Sequence, residues 1–241
     1  MALSGELLAL HHKEDAYKGD ETLVGSVIDG KELHMVSGVH KAGKSTIIEQ
    51  TVKILPDSAL ASSITDRLRK PGDPLHSAFL TLSEGMTSER IKFLINNGEV
   101  VNYAVLVGTG NIYGSLPEGY PALHNFLPTL PSGVVQLRNA DFKRTTHSYV
   151  TLAGNAWRST LGDKVSRGRM EESVVNLTYA QEHANDLEFI RNRIGQEGLA
   201  RAANTLINIS VGSGVGDDKN KALEDVSEML AIAKDLAVRS E

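Results

Sequence analysis

The chain has 241 residues, a net charge of −5 and no cysteine, and 41% of its residues are hydrophobic. This length suits one large or two small globular domains, and the lack of cysteine excludes disulfides, cysteine nucleophiles and thiolate metal sites. The slightly acidic balance argues against a global attraction to nucleic acid or anionic membrane. No apolar run reaches the length of a membrane span and no signal-peptide pattern opens the sequence, so we expect a cytoplasmic protein.

The first part of the chain predicts a strand, a helix and a second strand. Residues 1–30 are a polar extension ahead of the apolar run 33–36, which predicts the first strand. Residues 46–55 predict a helix, and residues 59–64 predict another short strand. A basic turn at 67–74 follows, because two arginines and a lysine directly precede a proline, a glycine and a second proline.

The middle of the chain continues the alternation. Residues 88–96 have apolar side chains at helical spacing and predict a helix, with Ser88 as its N-cap. Residues 100–107 predict a strong strand. The apolar runs 134–137 and 148–152 predict two further strands, the first of them buried in the core.

The last part predicts a long helix over 171–194, a final strand over 205–209 and a closing amphipathic helix over 219–238. We find no internal repeat or low-complexity tract. Strands that alternate with helices indicate a three-layer α/β fold with a mainly parallel sheet.

A phosphate-binding loop lies between the first strand and the first helix. Gly38 to Ser45 reads G-V-H-K-A-G-K-S and fits the pattern G-x-x-x-x-G-K-[ST] in its required strand–loop–helix context. The two glycines allow the backbone to close around a phosphate, and its N–H groups and the positive end of the helix face the anion. We expect Lys44 to reach the β- and γ-phosphates and Ser45 to ligate Mg²⁺.

This motif predicts an ATP- or GTP-binding protein of the P-loop NTPase fold. The predicted nucleotide contacts are Gly38, Val39, His40, Lys41, Ala42, Gly43, Lys44, Ser45 and Thr46. A glycine-rich turn that precedes a helix by chance is the alternative.

Three later segments resemble, in order and spacing, the motifs of the guanylate kinase family. They are Thr65-Asp66-Arg67-Leu68-Arg69-Lys70-Pro71-Gly72-Asp73, Gly98-Glu99-Val100-Val101-Asn102 and Gly110-Asn111-Ile112-Tyr113-Gly114-Ser115. Arg167-Gly168 with Glu171-Glu172-Ser173 looks like the family's lid, and Leu206-Ile207-Asn208 looks like its final strand. The resemblance covers most of residues 33–210.

The resemblance implies an ATP- and Mg²⁺-dependent nucleoside monophosphate kinase. Its domain would span 31–241, with a small acceptor-binding subdomain at about 62–125 and a lid at about 160–172. Phosphoryl transfer needs a second cationic cluster for the acceptor phosphate, and mobile arginines can stabilise the transferring group. The catalytic candidates are Lys44, Arg67 and Arg167, with Arg169 beside the last. The substrate-binding candidates are Ser63, Arg67, Lys70, Asn102, Tyr113 and Ser115.

The acceptor half departs from the family pattern. Asn102 stands where the family has the glutamate that grips guanine, and His76 to Phe79 replace a tyrosine-containing segment. The strand-end aspartates are missing or displaced, with Asp141 as a substitute only if the strand end is shifted, and Leu177 falls near the place of a lid arginine. GMP or dGMP is the acceptor that the resemblance favours, but an amide offers one donor and one acceptor where a carboxylate offers only acceptors.

Two other functions stay open at this point. One is a kinase for another acceptor, such as a modified deoxynucleotide or a modified base in DNA. A basic groove for DNA could include Arg138, Lys143, Arg144 and His147, although such a cluster is more often a solvated loop. The other is a nucleotide-binding module without catalysis. The sequence leaves the oligomeric state open.

Overall fold

The predicted alternation of strands and helices is present in a computed structural model, which describes residues 28–69, 80–105, 110–162, 165–193 and 195–239. The strands are β1 (Glu32–Ser37), β2 (Ser58–Leu60), β3 (Ile64–Thr65), β4 (Asn102–Val105), β5 (Ile112–Ser115), β6 (His124–Pro128), β7 (Arg144–Thr151) and β8 (Glu188–Arg191). The helices are α1 (Lys44–Ile54), α2 (Ser88–Asn96), α3 (Pro131–Asn139), α4 (Gly154–Leu161), α5 (Arg167–Glu182), α6 (Gln196–Ser210) and α7 (Lys219–Arg239).

The strands form two sheets. A five-stranded parallel sheet has the order β2-β6-β1-β7-β8 and is flanked by helices, as an α/β fold requires. All six residues of β1 are buried, which is typical of a central strand covered on both faces. The second sheet is antiparallel and has the order β3-β5-β4.

The chain divides into two compact units. The first unit takes residues 28–33, Ala59–Leu127 and Ser132–Thr145, and the second takes His34–Ser58, Pro128–Pro131 and the chain from Thr146 onward. The small antiparallel sheet and α2 belong to the first unit. The phosphate loop and helices α1, α4, α5, α6 and α7 belong to the second.

Each unit has its own apolar core. In the first unit, α2 packs its buried Ile91 and Ile95 against one face of the small sheet. In the second unit α1 packs against α6 and α5 packs against α7, around fully buried side chains that include Trp157, Tyr149 and Phe189. None of the described helices is long and apolar enough to cross a membrane.

Two of the predicted strands are wrong. Residues 134–137 belong to α3, and residues 205–209 belong to α6. Both are short apolar runs, which periodicity alone does not assign to strand or helix. The signals that decide are Pro131, at the first position of α3, and the buried Ala202, Leu206 and Ile209 spaced along one face of α6.

Three boundaries also differ from the prediction. The helix predicted over 171–194 starts at Arg167 and ends at Glu182, and the actual last strand is β8. The run 59–64 divides into β2 and β3, which belong to different sheets. The N-cap of α2 is Thr87, whose side chain accepts a hydrogen bond from the Arg90 backbone N–H.

Candidate functional site

The phosphate loop connects the end of β1 to the start of α1. Gly38, Lys41 and Gly43 have φ angles of 143°, 61° and 93°, so the backbone turns sharply three times before the helix. Only glycine adopts such angles without strain, and Lys41 does so as a non-glycine residue. Lys44 and Ser45 open α1, whose first turn contains no acidic residue. The four unpaired N–H groups of a helix start and the positive end of its dipole favour an anion here.

Both loop glycines are also required by close neighbours. A Cβ on Gly38 would lie 2.7 Å from the carbonyl oxygen of Val150 in β7. A Cβ on Gly43 would meet the side-chain amide nitrogen of Asn192 even more closely. Real Cβ atoms do not approach this far, so a larger side chain at Gly38 would push the loop away from the β7 backbone, whereas one at Gly43 would displace the Asn192 side chain.

Two side chains outside the motif, and Lys41 within it, fix the loop. The Trp157 Nε1–H in α4 donates to the carbonyl of His40 at 2.9 Å, and the Asn192 Nδ2 after β8 donates to the carbonyl of Ala42 at 2.8 Å. Lys41 in turn donates from its Nζ to the carbonyl of Thr160 at the end of α4, at 2.8 Å. These bonds point loop carbonyls away from the helix start, which leaves the N–H side of the loop for an anion.

Lys44 is the cation of this loop. Its Nζ donates to the carbonyls of Gly38 and Val39, both at 2.8 Å. Burial lowers the pKa of Lys44 to about 8, while the nearby charge of Glu172 raises it and that of Arg169 lowers it. A phosphate group bound here would supply the negative charge that restores the ammonium form.

The start of α5 brings two arginines into the same unit as the loop. Arg169 forms an ion pair with Glu172 at 3.0 Å, and both of these charges act on Lys44. Arg167 pairs with Glu171 at 2.9 Å, and its side chain is 56% exposed. The structure therefore places Arg169, rather than Arg167, within electrostatic reach of the loop lysine.

Three of the acceptor candidates, Asn102, Tyr113 and Ser115, lie in the first unit on one face of the small sheet. Residues Asn102 and Ser115 are register partners, as are Ala104 and Tyr113. Since side chains alternate between faces, Asn102, Ser115 and Tyr113 share one face, and the opposite face carries the apolar cluster that packs on α2. Arg67, just beyond β3, donates from its Nε to the Tyr113 hydroxyl at 2.8 Å.

A buried chain of hydroxyls supports Asn102. The Ser115 hydroxyl donates to Asn102 Oδ1 and lies 2.5 Å from the hydroxyl of Tyr120. Ser115 and Tyr120 are 1% and 0% exposed, and burial raises the pKa of Tyr120. The Tyr120 phenol therefore keeps its proton. Asn102 thus contacts an uncharged pair of hydroxyls, those of Ser115 and Tyr120, with Ser115 as its direct partner.

The remaining predicted residues are less informative. Ser45 and Thr46 are exposed at the start of α1, and Ser63 is half-buried. The backbone carbonyl of Ser63 accepts a hydrogen bond from the Leu80 N–H at 3.2 Å. Lys70 lies outside the described residues, as does the extension before Ile28.

Asp66 lies beside Arg67 and had no role assigned from the motifs. Its carboxylate accepts hydrogen bonds from the Ser88 hydroxyl at 2.6 Å, from Asn111 Nδ2 at 3.1 Å and from the Ile112 N–H at 2.8 Å. These bonds join the end of β3 to α2 and to the start of β5. Asp66 thus fixes the turn that presents Arg67 to Tyr113.

No protein-family model matches the chain, and no curated protein matches it. A search of solved structures finds similarity to the crystal structure of guanylate kinase from Anaplasma phagocytophilum, with a TM-score of 0.52 and 16% sequence identity. The match covers 75% of this chain and 86% of that chain. This similarity shows that the chain has a guanylate kinase-like fold.

Proposed function

We propose that this protein is a kinase that transfers the γ-phosphoryl group of Mg-ATP to a nucleoside monophosphate. An oxygen of the acceptor phosphate attacks the γ-phosphorus, the bond from that phosphorus to the β-γ bridging oxygen breaks, and ADP and a nucleoside diphosphate leave. The proposal of an acceptor-binding site rests on the hydrogen bond between Arg67 and Tyr113. Tyr113 lies on the same sheet face as Asn102 and Ser115. The guanylate kinase-like fold supports the same reaction class.

The donor role belongs to residues 38–46. The strained loop and the start of α1 would hold the β- and γ-phosphates, with Lys44 as the compensating cation. Ser45 offers its exposed hydroxyl to Mg²⁺, and the other ligands would come from phosphate oxygens and water, as Mg²⁺ prefers. When bound, Mg²⁺ supplies charge neutralisation for the transferring phosphoryl group.

The acceptor role belongs to the polar face of the small sheet. Arg67 and Tyr113 would bind the acceptor phosphate, and Asn102 with Ser115 and Ser63 would contact the base. Tyr113 and Ser115 are two residues apart on β5, so their side chains emerge about 7 Å apart on one face. Lys70 is a second phosphate-binding candidate from the sequence alone.

The arginines at the start of α5 would act on the transferring group. Arg169 is the stronger candidate because its charge already acts on Lys44, whereas Arg167 is paired with Glu171 and exposed. We assign residues 31–241 to one kinase domain, with an acceptor-binding part at about 62–125 and a lid at about 160–172.

The test is ADP release from Mg-ATP with a panel of ribo- and deoxynucleoside monophosphates. We expect turnover with at least one monophosphate and its loss in Lys44→Met. Lys53→Met is the matched control, because Lys53 lies exposed on the same helix. Turnover that survives in Lys44→Met would contradict the donor assignment.

Two other results would assign a different function. Phosphoryl transfer to duplex DNA that carries modified bases, without transfer to any monophosphate, would indicate a DNA-base kinase. ATP binding or hydrolysis without any acceptor would indicate a nucleotide-gated binding module. The family resemblance predicts GMP or dGMP, and the panel tests whether Asn102, an amide where the family has a carboxylate, accepts another base.

A further inference from the structure

A buried carboxylate of the closing helix α7 joins the ends of two strands. Asp225 is 4% exposed, and its oxygens accept hydrogen bonds from Arg191 Nε at 2.7 Å and from Arg191 Nη2 at 3.3 Å. The Thr151 hydroxyl lies 3.5 Å from the same carboxylate. Thr151 and Arg191 are register partners and the last residues of β7 and β8. Asp225 therefore ties α7 to the carboxyl edge of the parallel sheet.

The contact between Arg191 and Asp225 is of a strong kind. A bidentate pair of guanidinium and carboxylate adds a fixed direction to the attraction of the charges, and solvent screens a partly buried pair only weakly. The two side chains are 22% and 6% exposed. The backbone N–H of Arg191 also donates to Asp217 Oδ2 at 2.8 Å. The last residue of β8 is thus held through both its main chain and its side chain.

Asn192 follows Arg191 directly and reaches the phosphate loop. Its backbone N–H donates to the Thr151 carbonyl, and its Nδ2 donates to the Ala42 carbonyl, both at 2.8 Å. The Ala42 carbonyl and the Gly43 N–H belong to one planar trans peptide group, in which they point in opposite directions. The bond from Asn192 therefore also sets the direction of the Gly43 N–H, which is one of the donors proposed for the phosphates.

These contacts connect α7 to the loop in three steps. Asp225 holds Arg191, the chain then places Asn192, and the Asn192 amide orients the peptide group before Gly43. Hydrogen bonds weaken steeply as their angles depart from linear, so a small displacement of the strand end alters the loop. Removing the charge of Asp225 would leave the Arg191 guanidinium partly buried without that carboxylate, and the end of β8 would then adjust.

We propose that Asp225 is a positioning residue for ATP, which it affects by holding Arg191 and so placing Asn192 against the phosphate loop. This inference rests on the proposed function, because it takes residues 38–46 as the ATP site. It adds a determinant of ATP affinity that lies in the closing helix, outside every motif of the sequence.

The experiment measures the affinity of the full chain for a fluorescent ATP analogue with Mg²⁺ at pH 7, in wild type, Asp225→Asn, Asn192→Ala and the double variant. Each single substitution should weaken binding about three- to tenfold, the effect of losing one hydrogen bond. Because Asp225 acts through Asn192, the double variant should bind no more weakly than Asn192→Ala alone. Losses that multiply, to about nine- to a hundredfold, or an unchanged affinity in Asp225→Asn would overturn the inference.

Thermal unfolding separates positioning from stability. Asp225→Asn should lower the thermal midpoint in both backgrounds, since the ion pair is lost in each. Its effect on ATP affinity should appear only while Asn192 is present. A purely structural role would lower the midpoint and leave this dependence on Asn192 absent, which would refute the positioning role.

Two further variants complete the test. Asp235→Asn is the matched control, because Asp235 lies on the same helix and pairs with Arg239 within that helix at 2.8 Å. It should leave ATP affinity unchanged, and a weakening equal to that of Asp225→Asn would overturn the inference. Arg191→Lys is the milder change, because it keeps the charge and loses the bidentate geometry. It should weaken binding less than Asp225→Asn, and only while Asn192 is present; an equal weakening in the Asn192→Ala background would contradict the route.

The two proposals fail differently. A wild type that binds the analogue, with losses that multiply in the double variant, refutes this inference alone. A wild type that binds no ATP refutes the proposed donor site and this inference with it. A wild type that binds ATP but transfers phosphate to no monophosphate refutes the kinase and not the positioning role of Asp225.

Discussion

The depressed pKa of Lys44 predicts that the proposed binding of ATP depends on pH. Burial holds this pKa at about 8 in the free protein, well below the ordinary value of 10.5. Nucleotide phosphates attract the ammonium form, so the neutral amine formed at higher pH must take up a proton on binding. With a pKa of about 8, roughly nine-tenths of Lys44 is charged at pH 7 and roughly one-tenth at pH 9.

The affinity for ATP should therefore fall about tenfold between pH 7 and pH 9. A fluorescent ATP analogue titrated at pH 7, 8 and 9 with constant ionic strength measures this fall. Calorimetry in buffers with different ionisation enthalpies should detect an uptake of nearly one proton per bound nucleotide at pH 9.

Variants separate Lys44 from other titrating groups. Lys44→Met should bind weakly and with no pH dependence over this range, while Lys53→Met should retain the tenfold fall. A wild-type affinity that is equal at pH 7 and pH 9, or a fall that persists in Lys44→Met, would refute the reasoning.

Lys44→Met should also raise the thermal midpoint below pH 8. The folded pKa lies below the unfolded one, so the cost of the buried charge is fully present below pH 8 and is lost as the pH rises to about 10.5. Gly38→Ala should lower the thermal midpoint more than Gly30→Ala, as thermal melts of the two variants would measure. Both glycines have positive φ, but of the two only Gly38 has a neighbour within 4 Å of the added Cβ. Trp157→Phe removes one hydrogen bond to the loop and should weaken binding of the ATP analogue about three- to tenfold, with equal affinity as the contradicting result. Arg169→Ala should reduce kcat at least tenfold more than Arg167→Ala, and equal losses would remove the distinction between the two arginines.

The sequence predicts the strand–loop–helix conformation around residues 38–45 correctly because its signals are contiguous. The strand, the glycines and the helix start all fall within about 20 consecutive residues, and local steric rules determine their conformation. The α/β class follows in the same way from alternating elements. The segments in α3 and α6 were predicted as strands because they are short apolar runs. Such runs indicate burial, but they are too short to distinguish the helical from the strand periodicity.

The residues that the sequence missed act over long separations. Trp157 lies 117 positions from the loop carbonyl that it binds, and Asn192 lies 150 positions from its own. Neither has a local pattern, since a buried tryptophan and an asparagine after a strand are ordinary packing residues. Tyr120 shows a related limit, because only the folded structure reveals that its hydroxyl contacts Ser115, which in turn binds Asn102.

The two halves of the site thus differ in how far a motif determines their chemistry. In the loop, the proposed phosphate donors are backbone N–H groups, whose placement depends on the glycine pattern. On the sheet face, the ligand would meet a side-chain amide that is bound by the Ser115 hydroxyl. Likeness to guanylate kinase in fold is therefore compatible with a different acceptor, because the base would be recognised by side chains that the fold does not specify.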